Sequence, residues 1–130
     1  GRLFLKSPKI FFLDNGFRNM VIKSFQPMKK RQDKPILYEN FAASEIVKKG
    51  FEIKYWRTKS KAEVDFVLEK DGKIIPVEVK SGLKKPKLTK SFNSFLEKYK
   101  PKRGIVFSES LSGQKAKIDF KPLFALSKEI

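Results

Sequence analysis

The feature that most constrains this chain is an Asp71-Gly72 pair between two runs rich in β-branched and aromatic residues, 63–70 and 73–79. Both residues accept the positive φ that a two-residue hairpin turn needs, so the pair predicts a β-hairpin. A turn there fixes the register, with Lys70 facing Lys73 and Phe66 facing Val77. Because side chains alternate across a strand, one face of the hairpin should be wholly apolar. Its members are Val64, Phe66, Leu68, Ile75, Val77 and Val79.

The other face of the predicted hairpin is charged. The same register sets Asp65 directly opposite Glu78, with Lys80 two residues further along. Like charges in directly opposed positions, with Cβ atoms about 4.5–5.5 Å apart, are destabilising. A cation relieves the repulsion: Lys80 is one, and a divalent metal is a stronger one, since Mg²⁺ is commonly held by one or two carboxylates plus water and phosphate. Glu63, opposite Lys80, is either its salt-bridge partner or a solvent-facing residue.

The amino-acid composition limits the classes of binding partner and the kinds of site that this chain can have. Lys and Arg number 30 against 14 Asp and Glu, a net charge of +16. This excess favours a polyanionic partner, nucleic acid first and an anionic membrane surface second, although a heavily solvated lysine-rich surface would also explain it. Since the chain has no Cys and no His, disulfides, zinc sites and Ser-His-Asp triads are excluded. No apolar run reaches membrane-spanning length and no signal peptide is visible, so we expect a cytoplasmic protein.

A helix is predicted before the hairpin, between Pro35 at its first turn and Gly50 just after its end. Glu39 falls near the middle of its apolar stripe, where a carboxylate needs a partner unless it bends out to solvent near the helix N-terminus. The stripe consists of Ile36, Ala42, Ala43, Ile46 and Val47. Residues 51–57 alternate as a strand does, residues 88–99 have helical spacing, and 104–107 form a short apolar strand. A weaker strand is predicted near 116–120.

These elements predict an α/β fold with a mixed central sheet flanked by helices. The first three strands are joined tightly and should be antiparallel. The fourth is reached through a helix and should run parallel to the third, with a right-handed crossover. We expect residues 1–25 to form an N-terminal strand and helix segment and 26–130 to form the main domain. The chain does not open with Met, and we expect it to be a piece of a longer protein.

An Asp/Glu-x-Lys triplet occurs four times, about as often as this composition gives by chance. Context selects one of them. Glu78-Val79-Lys80 ends an apolar strand, faces a carboxylate across a hairpin, and follows a helix that carries an inward Glu39. Two basic loops, 28–34 and 82–90, could contact phosphates or simply be solvated. Their candidate residues are Lys29, Lys30, Arg31, Lys84, Lys85 and Lys87.

This αβββαβ order, with Glu39, Asp65 and Glu78-x-Lys80 in these places, resembles the PD-(D/E)XK nuclease superfamily, which includes many restriction enzymes and archaeal Holliday-junction resolvases. Five blocks are more closely similar to a nuclease-like C-terminal domain of archaeal and bacterial AAA+-type P-loop ATPases. They are KIFFLDNGF at 9–17, LYENF at 37–41, YWR at 55–57, EVDFV at 63–67 and PVEVKS at 76–81. The resemblance implies a restriction-endonuclease-like core with an ATPase and winged-helix region upstream. No P-loop motif occurs in this sequence.

The resemblance also implies roles for the site residues. Asp65, Glu78 and the Val79 carbonyl would hold Mg²⁺ or Mn²⁺, Lys80 would orient the attacking water and stabilise developing charge, and Glu39 would complete the acidic pocket. Lys80 lies near two carboxylates and should keep its charge, which favours an electrostatic role. The expected function is metal-dependent hydrolysis of DNA phosphodiesters. Because one fold hosts many functions, a DNA-binding module without catalysis and a regulatory or docking module of an ATPase stay open, as does oligomerisation.

Overall fold

The computed structural model describes residues 2–5 and 34–130. Within those ranges it describes the backbone but not the side chains of residues 2–5, Lys34 and Asp65. Most of the predicted N-terminal strand and helix segment, the boundary between 25 and 26, and the basic residues Lys29, Lys30 and Arg31 lie outside the described part.

The described part forms a seven-stranded mixed sheet with helices on both faces. The strands lie in the order β1-β2-β3-β4-β5-β7-β6. β1 to β4 are antiparallel neighbours, β5 is parallel to both β4 and β7, and β6 is antiparallel to β7. The elements are β1 Arg2–Leu5, α1 Lys34–Lys48, β2 Lys54–Arg57, β3 Glu63–Lys70, β4 Lys73–Val79, α2 Lys90–Tyr99, β5 Gly104–Ser108, β6 Gly113–Lys115, β7 Ile118–Pro122, a 3₁₀ turn Leu123–Ala125 and α3 Leu126–Glu129.

This architecture confirms the predicted α/β class and the predicted mixed sheet. β2, β3 and β4 are antiparallel, and α2 carries the chain across to β5, which pairs in parallel with β4. Two parallel neighbours need such a crossover, because a tight turn reverses the direction of the chain and can join only antiparallel strands. Among the described helices, none is long and apolar enough to cross a membrane.

The hairpin turn adopts the predicted geometry. Asp71 has φ 53° and Gly72 has φ 75°, the pair of positive values that defines a tight turn compatible with strand twist. Lys70 pairs with Lys73, Leu68 with Ile75, and Phe66 with Val77. The sequence therefore predicted the turn and the register of the paired part of the hairpin.

The two faces of the sheet carry separate cores. α1 and α3 cover the first, where Phe41 and Ile46 meet Phe66, Val77 and other apolar side chains of the central strands. α2 covers the second with Phe92 and Phe95. Trp56 lies in this second core, edge-on to Phe95 with ring centroids 5.5 Å apart. The sheet is thus the middle layer of three.

Val64 is on the wrong face for the sequence prediction. It packs in the second core, while Phe66, Leu68 and Val77 pack in the first. The pairs Lys54–Val67 and Trp56–Val64 enclose two steps along β2 but three along β3. β3 therefore has one extra residue, a β-bulge, between Val64 and Val67, and one extra residue reverses the alternation of faces.

Ile36 is a second correction. It was assigned to the buried stripe of α1, yet it is 64% exposed. The buried face instead follows Leu37 and Tyr38 through Phe41 and Ala42 to Ile46, which leaves Ile36 outside it. Glu39, the residue of interest, is half-buried.

Candidate active site

A small cavity lies where α1, β3 and the end of β4 meet. Its volume is about 50 Å³. One ordered water needs roughly 10–15 Å³ measured this way, so the cavity has room for an ion with a few water molecules. The lining residues are Glu39, Glu63, Phe66, Val77, Glu78, Val79 and Lys80. The structure thus brings Glu39, Glu78, Val79 and Lys80, which the sequence selected, to one place.

Glu78 is held by two neighbours on one of its carboxylate oxygens. The Thr89 hydroxyl donates a hydrogen bond to Glu78 Oε1 at 3.2 Å, and Lys80 Nζ lies 3.6 Å from the same oxygen. Thr89 is also the N-cap of α2, since its Oγ1 accepts from the Phe92 N–H at 3.1 Å. Glu78 is therefore fixed to the positive end of the α2 helix dipole, a favourable place for a carboxylate.

The backbone leaves the sheet at Lys80, directly after the last residue of β4. Val79 pairs with Phe107 in the parallel ladder, and the Lys80 N–H then donates to the Phe107 carbonyl at 2.8 Å. The Lys80 side chain is 41% exposed, whereas that of Glu78 is 16% exposed. The ammonium group is therefore both paired with the carboxylate and open to a solvent-borne ligand.

Glu39 and Glu63 reach the cavity from opposite sides, α1 and β3. The inward orientation predicted for Glu39 is observed. Glu63 lines the cavity too, but its carboxylate pairs with Arg57 Nη2 at 3.3 Å. Of the two roles considered for Glu63, a salt bridge to Lys80 is not what the structure shows.

Asp65 lies in β3 next to Phe66, and Phe66 pairs with Val77, the neighbour of Glu78. Because its side chain is outside the described set, the direct opposition of Asp65 and Glu78 stays a prediction. Among the described side chains, no three Asp, Glu, His or Cys residues form a group that could hold a metal. Mg²⁺ needs only one or two carboxylates beside water and phosphate, so the oxygen donors of Glu78, Val79 and Asp65 have the right chemistry for it.

Comparison with known sequences identifies the family of this chain. Residues 35–125, which span α1 to the 3₁₀ turn, match the domain of unknown function DUF4143. The chain belongs to the DUF4143 family. In general this domain is found in ATPase-associated proteins, which agrees with the resemblance to an ATPase-linked domain at that coarser level. No curated protein and no solved structure gives a significant match. Membership of the PD-(D/E)XK superfamily stays a prediction.

Glu109 was not among the residues singled out from the sequence, and it contacts the segment that follows Lys80. Glu109 directly follows β5 and is only 7% exposed. Both its carboxylate oxygens accept from the Gly82 N–H, at 2.8 and 2.9 Å. A signal was available, because an acid just after a largely apolar parallel strand lies at the same sheet edge as the end of the neighbouring strand.

Tyr38, the neighbour of Glu39 on α1, was also missed. Its side chain is fully buried. Burial first, and then the negative charge of Glu109, raise the pKa of Tyr38 to about 12. Glu109 therefore acts electrostatically on a residue of α1. An aromatic residue beside Glu39 carries no sequence signal of this kind.

The basic loop after β4 lies on the surface of the DUF4143 domain. Lys84, Lys85 and Lys87 are all exposed, and residues 81–89 contain no acid. This loop joins Lys80 to Thr89, the residue that binds Glu78. Of the two basic loops singled out from the sequence, the one that the structure describes is therefore attached directly to the candidate site.

Proposed function

We propose that this DUF4143 domain hydrolyses DNA phosphodiester bonds with the help of a divalent cation. The observation that carries the proposal is the shared cavity of Glu39, Glu78, Val79 and Lys80. These residues come from two elements distant in sequence, and the cavity combines carboxylate and carbonyl oxygens with one ammonium group. That combination suits a phosphate ester, which needs charge neutralisation and a positioned water.

The cation would be held by Glu78, Asp65 and the Val79 carbonyl. When bound, it supplies a water of lowered pKa and neutralises charge on the phosphate. Lys80 contributes a fixed positive charge at the cavity, where it binds a non-bridging phosphate oxygen and stabilises the charge that develops in the transition state. Glu39 accepts a hydrogen bond from the water and orients it. Thr89 keeps Glu78 in place.

DNA is the substrate that the charge distribution favours. The net charge of +16 attracts a polyanion, and the exposed lysines of the loop after β4 extend from the cavity. They are Lys84, Lys85 and Lys87. Each phosphate contact should contribute a slope of about −0.9 to the dependence of log affinity on log salt concentration for duplex DNA. Replacing all three lysines with alanine should therefore flatten the slope by up to about 3.

The direct test is a cleavage assay with Mg²⁺ or Mn²⁺ on supercoiled plasmid, single-stranded and branched DNA. Lys80→Ala and Glu78→Gln should each lower the cleavage rate by about 10²–10³, the usual loss when one group that stabilises the transition state is removed. Lys73→Ala and Glu69→Gln are matched controls, because both residues are exposed on the same hairpin. They should cleave like the unaltered protein. Cleavage that persists in Lys80→Ala would show that the assignment is wrong.

A second candidate function, a DNA-binding or docking module without catalysis, is favoured by the occurrence of this domain in ATPase-associated proteins. It predicts salt-sensitive DNA binding, or binding to an ATPase, with no cleavage under either metal. It also predicts that Asp65→Ala leaves DNA affinity unchanged or raises it, since a negative charge is removed. The two functions therefore differ in whether the unaltered protein cleaves DNA.

A further inference from the structure

The segment after β4 is pinned to the end of β5 at two points. The Lys80 N–H donates to the Phe107 carbonyl at 2.8 Å, and the Gly82 N–H donates to both carboxylate oxygens of Glu109 at 2.8 and 2.9 Å. Gly82 has φ +75°, a backbone conformation that glycine accepts without steric cost. The chain therefore turns sharply just after Lys80, and Glu109 holds the turn.

We infer that Glu109 is a positioning residue that keeps Lys80 beside Glu78. The fixed point lies only two residues beyond Lys80, so the direction in which the chain leaves the sheet, and with it the root of the lysine side chain, depends on that bond. The consequence for cleavage rests on the proposed function. The positioning itself concerns the protein alone and can be measured without DNA or metal.

Glu109 also interacts electrostatically with α1, the helix that carries Glu39. Its charge contributes to the raised pKa of Tyr38, so the two side chains are close enough to interact through the protein interior. Tyr38 precedes Glu39, which lines the cavity. Glu109 therefore holds the segment after Lys80 by hydrogen bonds and acts electrostatically on the neighbour of Glu39.

A buried charge at this position has a physical cost that a neutral acceptor would avoid. Removing a carboxylate from water is unfavourable unless hydrogen bonds replace the lost hydration. Hydrogen bonds to an ionised acceptor are roughly twice as strong as neutral ones, so the carboxylate gives a firmer hold on Gly82 than an amide would. That firmness is useful where a side chain must be placed accurately.

The experiment compares Glu109→Ala and Glu109→Gln in the full 130-residue chain. Amide hydrogen exchange at Gly82 and Lys80 reports how often the turn opens. The rate at which an amine-reactive reagent labels Lys80, read by mass spectrometry, reports how well the ammonium group is held near Glu78. Glu45→Gln is the matched control, because Glu45 is a similarly buried acid, 6% exposed, whose carboxylate pairs with Lys48.

We expect Glu109→Ala to raise the rate of amide exchange at Gly82 and Lys80 about tenfold or more, because the turn then opens locally without unfolding of the domain. The same variant should speed the labelling of Lys80. Glu109→Gln keeps one acceptor oxygen and should lie between Glu109→Ala and the unaltered protein. Glu45→Gln should change neither readout. Where cleavage is active, kcat should fall with KM little changed, because substrate binding does not involve Glu109.

The outcomes that contradict the positioning role can be distinguished from those that contradict the proposed function. Unchanged exchange and labelling in both Glu109 variants would overturn the inference whatever the cleavage result. Increased exchange at Gly82 with unchanged labelling of Lys80 would also overturn it, since the bond would then not matter for Lys80. If the unaltered protein cleaves nothing, the proposed function fails, while exchange and labelling still decide the positioning role. If Glu109→Ala does not fold, as judged by Trp56 fluorescence, Glu109→Gln supplies the same comparison.

Discussion

Thr89 connects the stability of the domain to its candidate site, because one hydroxyl serves two partners. It accepts from the Phe92 N–H at 3.1 Å as the N-cap of α2, and it donates to Glu78 Oε1 at 3.2 Å. Thr89→Val keeps the shape of the side chain and removes both bonds. Thr89→Ser keeps both bonds and removes only a methyl group. The pair of variants therefore isolates the hydroxyl.

The expected loss of stability can be worked from these two bonds. Loss of an N-cap costs typically about 1 kcal/mol. A hydrogen bond to a charged group contributes about 1.5–3 kcal/mol. Glu78 is only 16% exposed, but its Oε1 keeps the Lys80 ammonium group as a partner when the Thr89 hydroxyl is removed, so the lower half of that range applies. Thr89→Val should therefore lose about 2–3 kcal/mol, a substantial part of the roughly 5–15 kcal/mol of a typical domain, and Thr89→Ser should lose less than about 0.5 kcal/mol.

Urea denaturation followed by Trp56 fluorescence measures this loss. Trp56 is the single tryptophan, is buried, and lies edge-on to Phe95 and Tyr99 of α2, with centroids 5.5 and 6.5 Å away. Its emission therefore reports whether α2 is docked on the sheet.

A double-mutant cycle separates the two bonds of Thr89. Combining Thr89→Val with Glu78→Ala isolates the bond between the two side chains, because each change removes it, and should give a coupling energy of about 1–2 kcal/mol, within the range for residues in contact. A coupling energy near zero would refute the argument that Thr89 holds Glu78, even if Thr89→Val alone is destabilising. In that case the cap would account for the whole effect.

Two further predictions follow from the packing and from the buried tyrosine. A Cβ at Gly104 would lie 2.7 Å from Ile118 Cδ1 and 3.3 Å from Phe92 Cζ, so Gly104→Ala should lose about 1–3 kcal/mol in urea denaturation through overpacking; unchanged stability would mean that Ile118 moves aside freely. The pKa of Tyr38 is raised from 10.0 to about 12, so the unfolded chain loses its proton first and stability should fall as pH rises from 10 to 12, by about 2 kcal/mol at pH 12. Tyr38→Phe should lack this part of the decline when both proteins are denatured at the same pH values, and identical declines would contradict the assignment.

Local patterns in the sequence were enough to predict most of the architecture. Asp71-Gly72 specifies a turn that few other residue pairs adopt, and the turn fixes the register of the strands beside it. Pro35 and Gly50 bracket α1, which runs from Lys34 to Lys48. The parallel pairing of β4 with β5 followed from the intervening helix. The roles of Glu109 and Thr89 were harder to predict, because they depend on contacts between residues that are distant in sequence and meet only when the chain folds.

The β3 bulge shows why the sequence prediction fails closest to the site. Alternation assigned Val64, Asp65 and Phe66 to successive faces, and the extra residue between Val64 and Val67 breaks that rule where Asp65 lies. A bulge cannot be read from alternation, since the extra residue itself looks like one more step of the pattern. Bulges are over-represented next to active sites, where they redirect a side chain. Glu63, just before this irregularity, and Phe66, within it, both line the cavity. β3 therefore departs from regular pairing at the position where the sequence predicts a site residue, and the role of Asp65 stays a prediction.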